Sequence, residues 1–344
     1  MHKKETTIYD IAAALNVSAA TVSRALKDHP AISKKTRDKI REKANEMGYQ
    51  TNALASSLRT SKSHTLGVIV PRLNSNFMST VLAGMEKAAS DAGYHLIIMQ
   101  SFESEIKEKE NAQILFNHRV DGLMVSTTDT SPEPTHFKPF FAKNIPVVFF
   151  DRIPEKYSQH NCVTIDNKEA GYQATRHLLN NGKTRILHIT GNTGIQVYKQ
   201  RLEGYKEALS EANRSFDPQM VWQTNLSVED GKVCAKRIMT MKPFPDAIFV
   251  ANDTCAITIM HYLQKNGIKI PEQIEITGFN NDPFSEFSKP SLTTIDYPGE
   301  ETGIKTVNLM IEKLNTKHVE PKGKQIVLKF GLRIRESTNR KPVK

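Results

Sequence analysis

From Thr65 onward, short apolar runs alternate with amphipathic stretches, and this alternation restricts the fold more than any other feature of the chain. The runs Thr65 to Val70, His95 to Gln100, Gly122 to Ser126, Pro146 to Phe150, Val163 to Ile165, Arg185 to Thr190, Ala247 to Val250 and Ile274 to Phe279 have strand length and composition. Between them, Phe77 to Ala92, Ile106 to Arg119, Lys168 to Asn181, Leu202 to Ala212, Val228 to Met241 and Cys255 to Asn266 carry apolar residues at helical spacing. Strands regularly separated by helices run parallel, because the connection must cross back over the sheet. An α/β fold with doubly wound parallel sheets is therefore expected. The strands are too many for one compact sheet, and the break near Tyr157 to Asn161 suggests two similar lobes with a cleft between them.

Ahead of this body, residues 7–48 read as three short helices. Thr7 and Asp10 have capping-box spacing, and Ile11 and Leu15 follow four residues apart. After only Asn16 and Val17, Ser18 is placed to cap a second helix with Val22, Ala25 and Leu26 on its inner face. Ser33 starts a third, with Ile40, Ala44 and Met47 on one stripe and Gly48 just past its end. Two helices joined so tightly match a helix-turn-helix, whose second helix enters the DNA major groove. The outward residues of that helix are Ala19, Ala20, Ser23, Arg24 and Lys27. Arg24 is the best candidate base reader, since a guanidinium addresses guanine through two hydrogen bonds; a phosphate contact or a solvated charge is the plainer alternative.

Charge supports a polyanionic partner. Of the net +10, residues 1–64 contribute 12 basic against 6 acidic side chains, residues 65–328 hold 29 against 30, and residues 329–344 hold 6 against 1. A near-neutral body with a basic N-terminal module suits nucleic acid, whereas the basic tail reads equally well as a solvated terminus. The longest apolar stretches, such as Gly67 to Val70 and Val147 to Phe150, fall far short of the ~20 residues of a membrane helix, and the N-terminus lacks the apolar core of a secretory signal. A cytoplasmic protein without membrane contact is expected. Cys162, Cys234 and Cys255 are widely spaced and odd in number, so neither a disulfide framework nor a metal site is expected.

Residues 49–64 join the two parts. A helix of about eight residues after Asn52 is shorter than the ~12 to 15 needed for isolated stability and would form only against a partner. At this point the sequence resembles the LacI/GalR family of bacterial transcriptional repressors. Thr7-Ile8-Tyr9-Asp10-Ile11-Ala12, Val17-Ser18 and Thr21-Val22-Ser23-Arg24 resemble its helix-turn-helix signature, and Asn52-Ala53-Leu54-Ala55-Ser56-Ser57-Leu58 its hinge helix. The resemblance implies DNA contacts from Thr7, Ser18, Ala19, Ala20, Thr21, Ser23, Arg24, Asn52 and Ala55, with Leu58 wedged into the minor groove. It also implies a homodimer or dimer of dimers on a pseudo-palindromic double-stranded operator. The expected division is a DNA-binding domain over 1–50, a hinge over 51–64 and a body over 65–340 similar to a periplasmic sugar-binding protein. Lobe 1 would comprise about 65–160 and 293–322, and lobe 2 about 161–291 and 325–340. The last helix, Glu301 to Leu314, would return to the first lobe and the last strand, Gln325 to Leu332, would join the second.

Ligands of open α/β sheets bind beyond the carboxyl ends of the strands, and there the sequence turns polar. Pro71 leads to Ser75 and Phe77, Phe150 to Asp151-Arg152, Val250 to Asn252-Asp253, and Phe279 to Asn280-Asn281-Asp282; Arg201 opens a helix after the Gly191 to Ile195 loop. Amides, carboxylates and a guanidinium beside an aromatic ring suit a polyhydroxylated small molecule. The resemblance implies effector contacts from Ser75, Phe77, Asp151, Arg201, Leu226, Asn252 and Asn280. Ser75-Asn76-Phe77-Met78 departs from the family's Asn-Pro-Phe-Phe loop, Asn280 stands where many members carry aspartate, and Leu226 where many carry an aromatic. A sugar or sugar derivative is the expected effector, and repression of carbohydrate-related genes the expected role. An enzyme of sugar metabolism and a transport-type binding protein are the alternatives. No nucleophile elbow, Walker loop or metal-spaced cluster favours the first, and Gly191-Asn192-Thr193-Gly194 lacks the full dinucleotide fingerprint. No catalytic residue, metal or cofactor is expected.

Overall fold

Among the described residues, three helices, α1 (Ile8–Leu15), α2 (Ala19–Leu26) and α3 (Lys34–Glu46), lie in the first of the chain's two units, Met1–Ser63 and His64–Lys344. The computed structural model describes residues 6–49, 62–128, 130, 134–316 and 323–338. Thr7 and Asp10 close the capping box, the Thr7 amide donating to the Asp10 carboxylate at 2.8 Å. Asn16 ends α1 in the left-handed region at φ 52°, and two residues later Ser18 caps α2 by accepting from the Thr21 amide at 3.1 Å. Ile11, Ala12, Val22, Ala25, Ile40 and Ala44 form the core of this unit.

Among the described residues, the second unit contains two six-stranded sheets. The first has the order β11-β5-β4-β3-β1-β2, with β1 Thr65–Val70, β2 His95–Gln100, β3 Gly122–Val125, β4 Val147–Phe150, β5 Cys162–Ile165 and β11 Gln325–Leu328. The second has the order β12-β10-β9-β8-β6-β7, with β6 Ile186–Thr190, β7 Val221–Gln223, β8 Ala247–Val250, β9 Glu275–Phe279, β10 Thr293–Asp296 and β12 Gly331–Arg333. Every pairing is parallel except β10 with β12. The helices are α4 (Asn76–Asp91), α5 (Glu105–Asn117), α6 (Lys138–Ala142), α7 (Asn167–Asn180), α8 (Gln196–Glu211), α9 (Val228–Thr240), α10 (Asp253–Lys265), α11 (Pro283–Phe287) and α12 (Gly299–Asn315). Strands β3, β4, β8 and β9 are buried along their whole length, as helices on both faces of a parallel sheet require.

The lobe boundaries differ from those expected. The break near residue 157 is a single turn of 3₁₀ helix, Glu155–Tyr157, and the chain continues as β5 in the first sheet before crossing at Asp166, which caps α7. Strand β10 extends the second sheet, not the first; its Thr-Thr-Ile-Asp sequence is too polar to stand out. The single last strand expected over 325–332 is two: β11 pairs with β5 in the first sheet, and after Lys329 and Phe330 the chain crosses to pair β12 with β10. Helix α12 packs on α4 of the first lobe, where it was expected.

Helices α7 and α8 approach so closely that a methyl group on Gly204 would overlap the Lys168 carbonyl and the Tyr172 amide, and one on Gly171 would overlap the backbone of Arg201. The close approach seats Arg201. The three cysteines are buried and unpaired. Among the described residues no helix is long and apolar enough to cross a membrane, and no group of His, Cys, Asp and Glu has the arrangement to hold a metal ion.

His188, buried in β6 of the second sheet, yields a stability prediction. Its Nδ1 lies 3.1 Å from the Phe249 carbonyl, the ring stacks on Phe249 at 4.5 Å and Tyr205 at 5.2 Å, and Nε2 has no partner among the described residues. Burial holds the imidazole down at about 4. Between its unfolded value near 6.5 and that value the unfolded chain binds the proton and the folded chain does not, so stability falls as the pH drops through this window, by about 3 kcal/mol in full. Asp282, pushed up to about 6 by burial, works in the opposite sense, so the prediction is differential. The stability advantage of pH 7.5 over pH 5 in urea unfolding should shrink in His188→Phe relative to the parent. An equal pH dependence in both would show that His188 is not the group responsible.

Candidate functional site

In the N-terminal unit, burial of Val22 and Ala25 turns the other side of α2 outward. Ala20, Arg24 and Lys27 are exposed, while Ala19, Thr21 and Ser23 are partly buried. The Arg24 side chain has no protein partner among the described residues, so its five donors face solvent. Thr7, Ser18 and Thr21 are occupied locally: Thr7 caps α1, and the Ser18 and Thr21 hydroxyls lie 2.8 Å apart at the start of α2. Tyr9, 71% exposed on α1, is an aromatic the sequence reading quoted only as part of the signature. Asn52, Ala55 and Leu58 lie outside the described residues.

In the second unit, all seven expected effector residues line one cavity of about 240 Å³ between the lobes. Ser75 caps α4, accepting from the Met78 amide at 3.4 Å, which sets Phe77 in the first turn with its ring 4.3 Å from that of Tyr297. Asp151 follows β4 in the left-handed region at φ 55° and accepts from the Ser126 hydroxyl at 3.3 Å. Its carboxyl is pushed up by burial, against the pull of Arg152 and Arg201.

Arg201 lies in the second turn of α8, not at its start, and is 4% exposed. Its Nε donates to Asn167 Oδ1 at 2.9 Å and Nη1 to the Ala251 carbonyl at 3.1 Å. The guanidinium lies 3.5 Å from the centre of the Phe279 ring and 5.5 Å from that of Tyr198. Burial lowers its affinity for the proton, yet a guanidinium stays charged in this setting. Nη2 has no protein partner among the described residues.

The remaining residues come from loops after β7, β8 and β9. Leu226 is buried at φ 56°, and its carbonyl accepts from the Asn252 amide at 3.3 Å. Asn252 Oδ1 also caps α10 through the Cys255 amide at 2.8 Å, so most of its side-chain capacity is used within the protein. Asn280, at φ 111°, is fixed by its backbone N–H to Ile295 at 2.9 Å and has no side-chain partner among the described residues. Asp253 beneath it is fully buried, accepting from the Asp282 amide at 2.8 Å and the Thr294 hydroxyl at 2.6 Å. It is a brace for the 280–282 turn.

Arg72, Glu103, Tyr198, Asn225 and Asp282 complete much of the lining together with Arg152. Of these, Arg152 and Asp282 stood in polar strand ends quoted from the sequence without being assigned to the site. Arg72 and Glu103 also follow strands, β1 and β2, so the same rule would have found them. Tyr198 carried no such signal, because it lies in the first turn of a helix.

The fold and the cavity together define a class: a two-lobed ligand-binding body preceded by a three-helix DNA-binding module. Residues 63–333 match the family model described as periplasmic binding proteins and sugar binding domain of LacI family, and residues 7–52 match that of bacterial regulatory proteins, lacI family. The HTH-type transcriptional repressor PurR of Vibrio atlanticus is 31% identical over 314 residues, 91% of this chain and 93% of that one. The HTH-type transcriptional regulator DegA of Bacillus subtilis is 31% identical over 300 residues, 87% and 88% of the two chains. Among solved structures, the lac repressor dimer bound to operator and the anti-inducer ONPF shares the fold with a TM-score of 0.87 at 23% identity, over 97% of this chain and 99% of that one. The transcriptional regulator CelR in its cellobiose complex has a TM-score of 0.72 at 25% identity, over 97% and 100%. The chain belongs to the LacI family of bacterial regulatory proteins; it is a transcriptional repressor with a ligand-binding domain, and not an enzyme.

Proposed function

We propose that the protein is a cytoplasmic repressor of carbohydrate-related genes whose operator affinity is switched by a sugar or sugar derivative held between the lobes. The observation that carries this reading is the convergence of Ser75, Phe77, Asp151, Arg201, Leu226, Asn252 and Asn280 on one cavity. Arg201 offers a rigid, buried donor plane for adjacent oxygens, Asn280 offers a free amide, and Phe77 an apolar face for the ring of a sugar. The matching family model is that of periplasmic binding proteins and the sugar binding domain of the LacI family, and CelR, similar in fold at 25% identity, forms a cellobiose complex. Because the ligand touches both lobes, it favours one relative arrangement of them, and differential binding of that kind is what regulation requires.

On DNA, Arg24 reads a base edge in the major groove, with Thr7, Ser18, Ala19, Ala20, Thr21 and Ser23 making the other contacts of the helix-turn-helix. Asn52, Ala55 and Leu58 form the minor-groove hinge. One recognition helix reads too few bases for useful specificity, so two chains bind a pseudo-palindromic site as a homodimer, alone or paired into a dimer of dimers. Thermal shifts against sugars, sugar phosphates and nucleobases should single out a ligand that stabilises the full chain. Titration of a two-fold operator should saturate at two chains per site, with affinity falling steeply between about 50 and 200 mM salt as expected from phosphate neutralisation. Salt-independent binding, or one chain per duplex, would contradict the DNA-binding reading.

A further inference from the structure

Glu103 stands in the effector cavity between two guanidinium groups. It follows β2 on a turn in which Phe102 and Glu103 both take the left-handed conformation, at φ 55° and 57°, and Phe102 is 67% exposed. Two consecutive side-chain-bearing residues in that region are unfavourable without compensation. The compensation is electrostatic. Arg152 donates from Nη1 to Oε2 at 2.7 Å and from Nη2 to Oε1 at 3.1 Å, and Arg72 donates from Nε to the same Oε1 at 3.0 Å. Although burial pushes its carboxyl up, Arg152 and Arg72 outweigh burial and hold it below the usual carboxylate range. Arg152 also reaches the second lobe, its Nη2 lying 3.3 Å from the Tyr198 hydroxyl.

The donors at this site crowd onto one carboxylate. Three donors from two arginines converge on two oxygens, and Oε1 serves two of them. A phosphomonoester presents three oxygens and satisfies the same donors separately, with the bidentate geometry that guanidinium groups favour. The other acids of the lining do not compete for these groups at hydrogen-bond distance: Asp151 accepts from Ser126, and Asp282 bonds Asn76. Arg201 remains across the cavity with Nη2 uncommitted, and Asn280 adds a neutral amide where a carboxylate would repel an anion.

We propose that Glu103 is an internal stand-in for the phosphate of the effector: a sugar phosphomonoester takes Arg72 and Arg152 from it while its hydroxyls reach Arg201 and Asn280. This inference rests on the cavity being the effector site. Displacing Glu103 removes what holds the 102–103 turn, so ligand entry and a backbone rearrangement at the mouth of the cleft become one event. A neutral sugar has nothing with which to displace the carboxylate.

The test uses the full chain with inorganic phosphate as the probe, in calorimetric titrations at constant ionic strength. Glu103→Gln, which removes the charge facing the two arginines, and Glu103→Ala, which vacates them, should each bind phosphate at least tenfold more tightly than the parent, and adding Arg72→Gln should abolish the gain. Phosphate binding unchanged in both Glu103 variants, or a gain that survives Arg72→Gln, would overturn the proposal. If a neutral sugar found by thermal shift binds in an Arg201-dependent way while the phosphate gain is absent, the stand-in fails and the effector site stands. If no ligand depends on Arg201, the site itself is wrong.

Discussion

Arg201→Ala should bind operator within about twofold of the parent and fail to respond to the effector at the concentration that just saturates the parent. The side chain contributes charged hydrogen bonds from a dry, pre-positioned plane, fixed by Asn167, Ala251 and Phe279, and such bonds are worth about 1.5 to 3 kcal/mol each. Losing two therefore weakens the ligand by roughly 100-fold or more. Because truncation also strands the Asn167 and Ala251 acceptors in a buried setting, Arg201→Lys is the useful companion: it keeps the charge without the planar fork, and it too should lose most of the affinity. Calorimetry with the stabilising ligand and anisotropy with labelled operator separate the two effects. Effector binding unchanged in both variants would refute the placement of the ligand.

The complementary result is expected at the other end of the chain. Arg24→Ala should cost about 1 to 3 kcal/mol at the preferred operator and flatten discrimination among sequences, the mark of a bidentate base contact. Leu58→Ala should weaken operator binding while leaving effector affinity and the unfolding transition of the body unchanged, because a minor-groove wedge acts only on bent DNA. If Arg24→Ala instead weakens all duplexes equally, Arg24 contacts phosphate; if Leu58→Ala binds operator like the parent, the wedge is absent.

Local chemistry explains what was legible in the sequence. The capping box at Thr7 and Asp10 and the Ser18 cap depend on neighbours a few residues away, and the inward faces that carry Ile11, Val22 and Ile40 follow from helical spacing; the structure has them as read. The helices and most strands of the body follow from periodicity in the same way. What failed was long-range pairing. Strand β10 carries two threonines and an aspartate yet is buried against α7 and β9, and the segment from Gln325 to Arg333 splits between two sheets because the chain crosses at Lys329 and Phe330. Neither choice is set by the strand's own residues.

The cavity divides along the same line. Residues at strand ends, such as Asp151 and Asn280, were found by position. The state of each side chain was not readable: Asn252 is largely engaged in capping, Asn280 is free, and Glu103 holds two arginines from a strained turn. Those states depend on distances between segments far apart in the chain, 31 residues from Arg72 to Glu103 and 49 from Glu103 to Arg152.

The most direct measurement is an operator titration of the full chain by fluorescence anisotropy, with and without a saturating amount of the ligand that thermal shift identifies, in the parent and in Arg201→Ala. The expected result is a change of tenfold or more in operator affinity in the parent, on the scale of a typical coupling free energy, and none in the variant. A ligand that binds the cleft in an Arg201-dependent manner yet leaves the parent's operator affinity untouched would contradict a switch that couples the two units.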